Sequence, residues 1–244
     1  MAVKTISYKQ HTFDISYEIV NPHEKVDLII LHGWGSNKNL MKQSFSNYMS
    51  GFRHIYIDLP GFGNSTAPMA MTTADVAEIM TLLLRELNAS YDIILGHSFG
   101  GKVAVLLEPE MLVLVASAGI YREKSFKVKS KIALFKLLKS FGLTKFRSLF
   151  VADDAKELST FMYETFKNVV DEDFSEHFKA YKGDALLFWG KDDTATPLDS
   201  AKKMAALLPK SHLEVYDGDH YFFMKHAADV SQKIEEKFLK RLEK

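Results

Sequence analysis

Two runs of alternating apolar and polar residues open the chain, Val3 to Tyr8 and Thr12 to Val20, joined by the polar Lys9-Gln10-His11. A period of two belongs to a strand with one buried face, so this segment predicts a β-hairpin. Five short apolar runs follow without alternation: Asp27 to Leu31, His54 to Asp58, Asp92 to Leu95, Met111 to Ala116 and Ala185 to Trp189. Continuous apolar runs suit parallel strands covered on both faces. His212 to Tyr216 predicts one more strand of the same sheet. Between these runs lie helical patterns at Lys38 to Met49, Thr72 to Asn88, Lys102 to Leu107, Leu198 to Leu208 and Phe222 to the C-terminus; Thr72 and Asp75 form a cap-like start for the second. Alternating strands and helices predict an α/β fold: a mostly parallel twisted sheet of about eight strands with helices on both faces.

One segment breaks the alternation. From Tyr121 to about Asp184 the strand signal disappears, and apolar residues such as Val128, Ile132, Phe135, Leu138 and Phe141 recur at helical spacing. The expected organisation is therefore a core of residues 1–120 and 185–244 interrupted by a helical cap at 121–184. The cap's charge is split. Residues 121–150 hold nine basic side chains against one acidic, and 151–184 hold nine acidic against four basic, so the two halves are suited to pair with each other.

Composition narrows the chemistry. The 244 residues carry 31 basic and 31 acidic side chains, a neutral balance that gives no long-range field for nucleic acid. With no cysteine, disulfides, thiolate metal sites, iron-sulfur clusters and cysteine nucleophiles are excluded, and a reducing compartment is expected. The first twenty residues lack the apolar run of a signal peptide. Met111 to Ile120, the longest apolar stretch, is about half of the roughly 20 residues that cross a bilayer. The expectation is a cytoplasmic protein without stable membrane insertion.

Gly96-His97-Ser98-Phe99-Gly100-Gly101 fits Gly-x-Ser-x-Gly between a predicted strand and a predicted helix. That is the setting of a nucleophile elbow, in which a sharp turn lifts the serine out of the sheet and glycines avoid collision across it. Serine at neutral pH is a poor nucleophile, so a base and a group to orient it are required. Carboxylates occur after the strand Ala185 to Gly190, in Lys191-Asp192-Asp193-Thr194-Ala195-Thr196-Pro197. A histidine follows the next strand, in Asp217-Gly218-Asp219-His220. Both positions are C-terminal strand edges, where ligands and catalytic groups collect in open α/β sheets. His212, inside a strand, and His226, on the last helix, are worse placed.

With serine, acid and histidine in that order, the chain resembles the α/β-hydrolase family. His32-Gly33-Trp34-Gly35 is similar to the family's oxyanion-loop motif, and Asp58-Leu59-Pro60-Gly61-Phe62-Gly63-Asn64-Ser65 to its next strand-end turn. The resemblance implies Ser98 as nucleophile, His220 as general base and then acid, and Asp193 as the carboxylate that orients the imidazole. Asp193 is favoured over Asp192 because it is followed by three residues and then a proline, Pro197, as is typical of the family acid. The resemblance also implies an oxyanion hole made by the backbone N–H groups of Trp34 and Phe99. The side chains of Trp34 and Phe99 would either border the substrate, pointing to an apolar acyl or alcohol group, or simply pack in the core. Asp58 to Ser65 reads as a tight turn that shapes the site without reacting. Two departures stand out: a short helix behind Ser98, and Asp219 where a glycine often precedes the histidine, which would raise the histidine's pKa if its carboxylate turned inward.

Ser98 argues against dehalogenases and epoxide hydrolases of this fold, which use aspartate at the elbow. The expected reaction is hydrolysis of a small to medium carboxylic ester or thioester through an acyl-enzyme, without cofactor. Metal is not expected, since no His-Glu-x-x-His pattern occurs among the nine histidines. Two alternatives remain. One is a carbon-carbon bond hydrolase of the 2-hydroxy-6-oxo-dienoate type, although the extended glycine-rich oxyanion loop is missing and Lys191 and Thr194 flank the acid. The other is a ligand receptor on a hydrolase fold. His-Gly-Trp-Gly and Asp-Leu-Pro-Gly-Phe-Gly are also similar to stretches of the carboxylesterases that demethylate pimeloyl-carrier-protein ester. That likeness implies an acidic acyl-carrier protein as a partner for Lys124, Lys127, Lys129, Lys131, Lys136, Lys139, Lys145 and Arg147, unless these form a solvated face paired with the acidic half of the cap.

Overall fold

The computed structural model describes residues 1–121 and 159–242. Eight strands form one sheet: β1 (Ala2–Tyr8), β2 (His11–Val20), β3 (Val26–Leu31), β4 (Phe52–Ile57), β5 (Ile93–His97), β6 (Met111–Val115), β7 (Asp184–Gly190) and β8 (Ser211–Tyr216), in the spatial order β1-β2-β4-β3-β5-β6-β7-β8. The β1–β2 and β2–β4 pairs are antiparallel, and all later pairs are parallel. Tyr8 pairs with His11, so the hairpin turns on Lys9 and Gln10 alone, both at positive φ, and His11 belongs to the strand.

Seven helices occur among the described residues: α1 (Lys38–Phe45), α2 (Thr73–Glu86), α3 (Phe99–Leu106), α4 (Thr160–Val169), α5 (Ser175–Ala180), α6 (Leu198–Leu207) and α7 (Phe223–Leu242). Alternate residues of the central strands enter two separate cores. Ile29, Leu31, Leu112 and Leu114 pack with α2, α3 and α6 on one face. Leu28, Ile30, Met111 and Val113 pack with α1 and α7 on the other. Burial on both faces is why these strands read as unbroken apolar runs. Thr72 and Asp75 make a reciprocal capping box at the start of α2. Helix α1 stops at Phe45, short of the expected Met49, because Met49 takes a positive φ in the turn leading into β4. Helix α3 begins at Phe99 rather than Lys102. Of the expected cap, α4 and α5 are described; Val128 to Phe141 and the lysine-rich run lie outside the described residues.

Chain order reverses at β3, whose neighbours are β4 on one side and β5 on the other. Loops that leave the C-terminal ends of β3 and β5 diverge there and open a crevice. His32 to Asn37 leaves β3, and Ser98 follows β5 directly.

Candidate active site

Ser98 sits at φ 50° and ψ −114°, a conformation that L-residues rarely adopt and that persists only when its surroundings enforce it. Its N–H donates to Val115 O at 3.1 Å, and its carbonyl accepts from Gly101 N at 3.0 Å and Ala118 N at 3.0 Å. A Cβ on Gly96 would come within 2.4 Å of Gly100 O, and one on Gly100 within 2.6 Å of Leu31 O. Only glycine fits at either place, as the spacing of the motif predicts. Phe99 is the first residue of α3, so its N–H belongs to the four at a helix start without an intrahelical acceptor.

Two loops from neighbouring strands bring the acid and the histidine together. His220 Nδ1 lies 2.8 Å from Asp193 Oδ2. Asp193 Oδ1 accepts from the backbone N–H groups of Ala195 and Thr196, each at 2.8 Å, and the Thr196 hydroxyl stands 2.8 Å from Oδ2. Burial pushes this carboxyl up, but the His220 and Thr196 hydrogen bonds outweigh it and hold the pKa below the usual carboxylate range. Asp192 is exposed. Asp219 is exposed as well, and its carboxylate accepts from Tyr221 N at 2.9 Å, which turns it into the next bend. Among the described residues, Ser98 Oγ makes no hydrogen bond to His220; such contacts are commonly long in unliganded sites and tighten with substrate.

His97 and Lys38 were not singled out from sequence as contributors to the site. His97, the residue before Ser98, is buried, places Nε2 3.2 Å from His220 O, and has its ring centroid 4.7 Å from that of His220. Burial, with the His220 charge adding to it, lowers its pKa to about 3, so it is neutral. Its signal in the sequence is only that it lies beside the elbow serine. On the other side, His32 takes the N–H of Leu59 on Nε2 at 3.0 Å and bonds Gly33 O through Nδ1 at 2.7 Å. Asp58 accepts from Lys38 N at 2.7 Å and Lys38 Nζ at 2.6 Å, each of the two side chains being 1% exposed. The turn at Asp58 thus clamps both ends of the loop that carries Trp34.

Trp34 packs edge-on against Phe62 and Phe99 and also touches Phe166 of α4, with ring centroids 4.8, 5.7 and 5.3 Å away. Trp34 and Phe166, with Ser98, Phe99, Ile120, Val169 and Val170, line a pocket of about 250 Å³, a small volume beside the roughly 300–1,000 Å³ of drug-sized sites. Its lining is not wholly apolar: Lys102, Ser117, Asp171, Glu172 and Thr196 also face it. Among the described residues, no cluster of three or more histidine, aspartate or glutamate side chains is suited to a metal, and no helix is long and apolar enough to cross a membrane.

A strained serine on a strand-to-helix turn thus shares the C-terminal edge of the sheet with a histidine paired with a buried carboxylate. Residues 28–233 match the alpha/beta hydrolase family, and the chain belongs to that family. It is 38% identical over 98 residues to a pimeloyl-[acyl-carrier protein] methyl ester esterase of Pectobacterium carotovorum, a match covering 38% of this chain and 37% of that relative's length. It is 25% identical over 253 aligned positions to a 2-hydroxy-6-oxononadienedioate/2-hydroxy-6-oxononatrienedioate hydrolase of Burkholderia vietnamiensis, covering 88% of this chain and 87% of that one. Among solved structures, an esterase of Exiguobacterium antarcticum shares the fold at a TM-score of 0.73 and 22% identity, covering 93% of this chain and 96% of that one.

Proposed function

We propose that the protein is a serine hydrolase that cleaves a small to medium carboxylic ester or thioester through an acyl-enzyme. Ser98 Oγ attacks the carbonyl while His220 Nε2 takes its proton, and Asp193 holds Nδ1–H so that Nε2 is free to do so. The N–H groups of Trp34 and Phe99 bind the oxyanion; one such donor is worth about 100- to 1000-fold in rate. His220 returns the proton to the leaving alcohol or thiol. It then deprotonates the water that attacks the acyl-enzyme, releasing the acid and restoring Ser98.

The observation that carries this reading is the 2.8 Å contact from His220 Nδ1 to Asp193 Oδ2, next to an elbow serine at φ 50°. Its test is turnover of chromogenic esters of graded acyl length by wild type and Ser98→Ala. Loss of turnover in the variant is the expected result; equal rates on every ester refute the mechanism.

A second reading, cleavage of a carbon-carbon bond next to a carbonyl, is favoured by the Burkholderia vietnamiensis relative, which aligns over most of both chains. Turnover of a 2-hydroxy-6-oxo-dienoate faster than of any ester would select it. The reading extends to division of the chain at 121–184 into a cap over the core. An acidic acyl-carrier protein as partner for the lysine-rich run is supported by the name of the Pectobacterium carotovorum relative.

A further inference from the structure

Helix α3 is apolar along almost its whole length, Phe-Gly-Gly-Lys-Val-Ala-Val-Leu, and Lys102 is its one charged residue. A lysine at this place is out of keeping with its surroundings. Its side chain is 3% exposed, and it lines the same pocket as Ser98, the residue that precedes the helix. Nζ donates to Val169 O at 2.6 Å and to Glu172 Oε2 at 2.7 Å. Glu172 also accepts from the Thr73 hydroxyl. The ammonium stands 4.8 Å from the Phe174 ring centroid. Burial lowers its pKa and Glu172 opposes that shift.

Lysine has three ammonium protons. Among the described residues, Val169 and Glu172 take two of them. Lys102 and Glu172 line the same pocket as Ser98, Trp34, Phe99, Ile120 and Phe166, so a chain held in it meets both apolar walls and a buried, charged donor. Resting on the ester reading above, we propose that Lys102 is a specificity-determining residue, selecting substrates in which the chain filling this pocket ends in a hydrogen-bond acceptor such as a ketone or ester carbonyl. A plain alkyl end would leave the remaining ammonium proton without an acceptor, whereas a carbonyl oxygen accepts it. A neutral acceptor is favoured over a carboxylate because Glu172 already balances the charge.

A lysine that only docks α4 onto the core is separated from this by substrate pairs. The p-nitrophenyl oxoalkanoates and alkanoates, matched in length, vary the acyl end; oxoalkyl and alkyl acetates vary the alcohol end. In wild type, one set shows higher kcat/KM for the carbonyl-bearing member. In Lys102→Met that ratio falls by roughly 10- to 100-fold, the value of a hydrogen bond to a charged donor. If Lys102→Met does not fold, Glu172→Gln carries the test: the freed ammonium raises the ratio further and extends the preference to a matched ω-carboxylate. Parallel losses on both members of every pair, or ratios unmoved in Glu172→Gln, overturn the proposal. Absence of wild-type turnover on every ester, plain ones included, removes the ester reading and this inference with it.

Discussion

Asp192 and Asp193 carry the same carboxylate one residue apart, and burial separates them: Asp193 is 4% exposed and shares Oδ2 with His220, while Asp192 faces solvent. On the proposed mechanism Asp193→Asn lowers kcat by about 10⁴-fold through loss of tautomer and orientation, and Asp192→Asn stays near wild type. An inactive Asp192→Asn beside an active Asp193→Asn, measured as steady-state kcat, refutes that assignment. The buried imidazoles predict a pH effect on stability. Burial lowers His32 to about 4 and His97 to about 3, against 6.5 for an unburied histidine. Between about 4 and 6.5 the unfolded chain therefore binds protons that the native protein refuses, and stability falls as pH falls through that window. Melting temperature followed against pH should show this slope, and His97→Gln should flatten it; an unchanged slope in the variant would exclude His97 as a source. Sequence offered Ser98, Asp193 and His220 as candidates by type and order. It did not reveal His97 or Lys102, whose significance comes from what surrounds them rather than from any motif.

At the level of elements, the Trp34 loop is held by the β4 turn. Lys38 opens α1, and Asp58 stands at that helix's N-terminus, binding Lys38 through both its N–H and its ammonium and also taking the N–H of Asn64 at 3.0 Å. A carboxylate is favoured there by the helix dipole. Removing one partner of a buried pair leaves an uncompensated charge, so Lys38→Met should cost roughly 3–5 kcal/mol of stability. Urea unfolding checks this, and a loss below about 1 kcal/mol, the ceiling of an exposed pair, would contradict it. The Asp58 to Ser65 stretch was legible as a turn that shapes the site. Its buried ion pair was not, because nothing in the spacing of Lys38 and Asp58 marks them as neighbours. Element ends were read less well than element centres: α1 is shortened by the positive φ of Met49 and β2 is lengthened to His11, both set by backbone turns that hydrophobic pattern does not encode.

At the scale of the whole molecule, chain order reverses at β3, so that loops after β3 and β5 open side by side, while those after β7 and β8 carry Asp193 and His220 to the same edge. The partner proposal belongs to this scale. Reversal of Lys127, Lys131 and Lys136 to glutamate should reduce turnover of a carrier-bound methyl ester relative to the free methyl ester; equal loss or no loss on both would refute a carrier-protein partner. The α/β class, the sheet of eight strands and the elbow could be read from the chain, since two-sided burial writes itself as unbroken apolar runs and a strained turn demands glycine at fixed places. The charged end of the pocket could not: Trp34 and Phe99 pointed to an apolar group, but Lys102, Thr73 and Glu172 meet only after α4 docks. Local pattern records the period of an element and the face it buries. Which distant charges share one dielectric environment is settled by packing, and here packing sets the Lys102 ammonium against Glu172 in the wall of the pocket that Ser98 also lines.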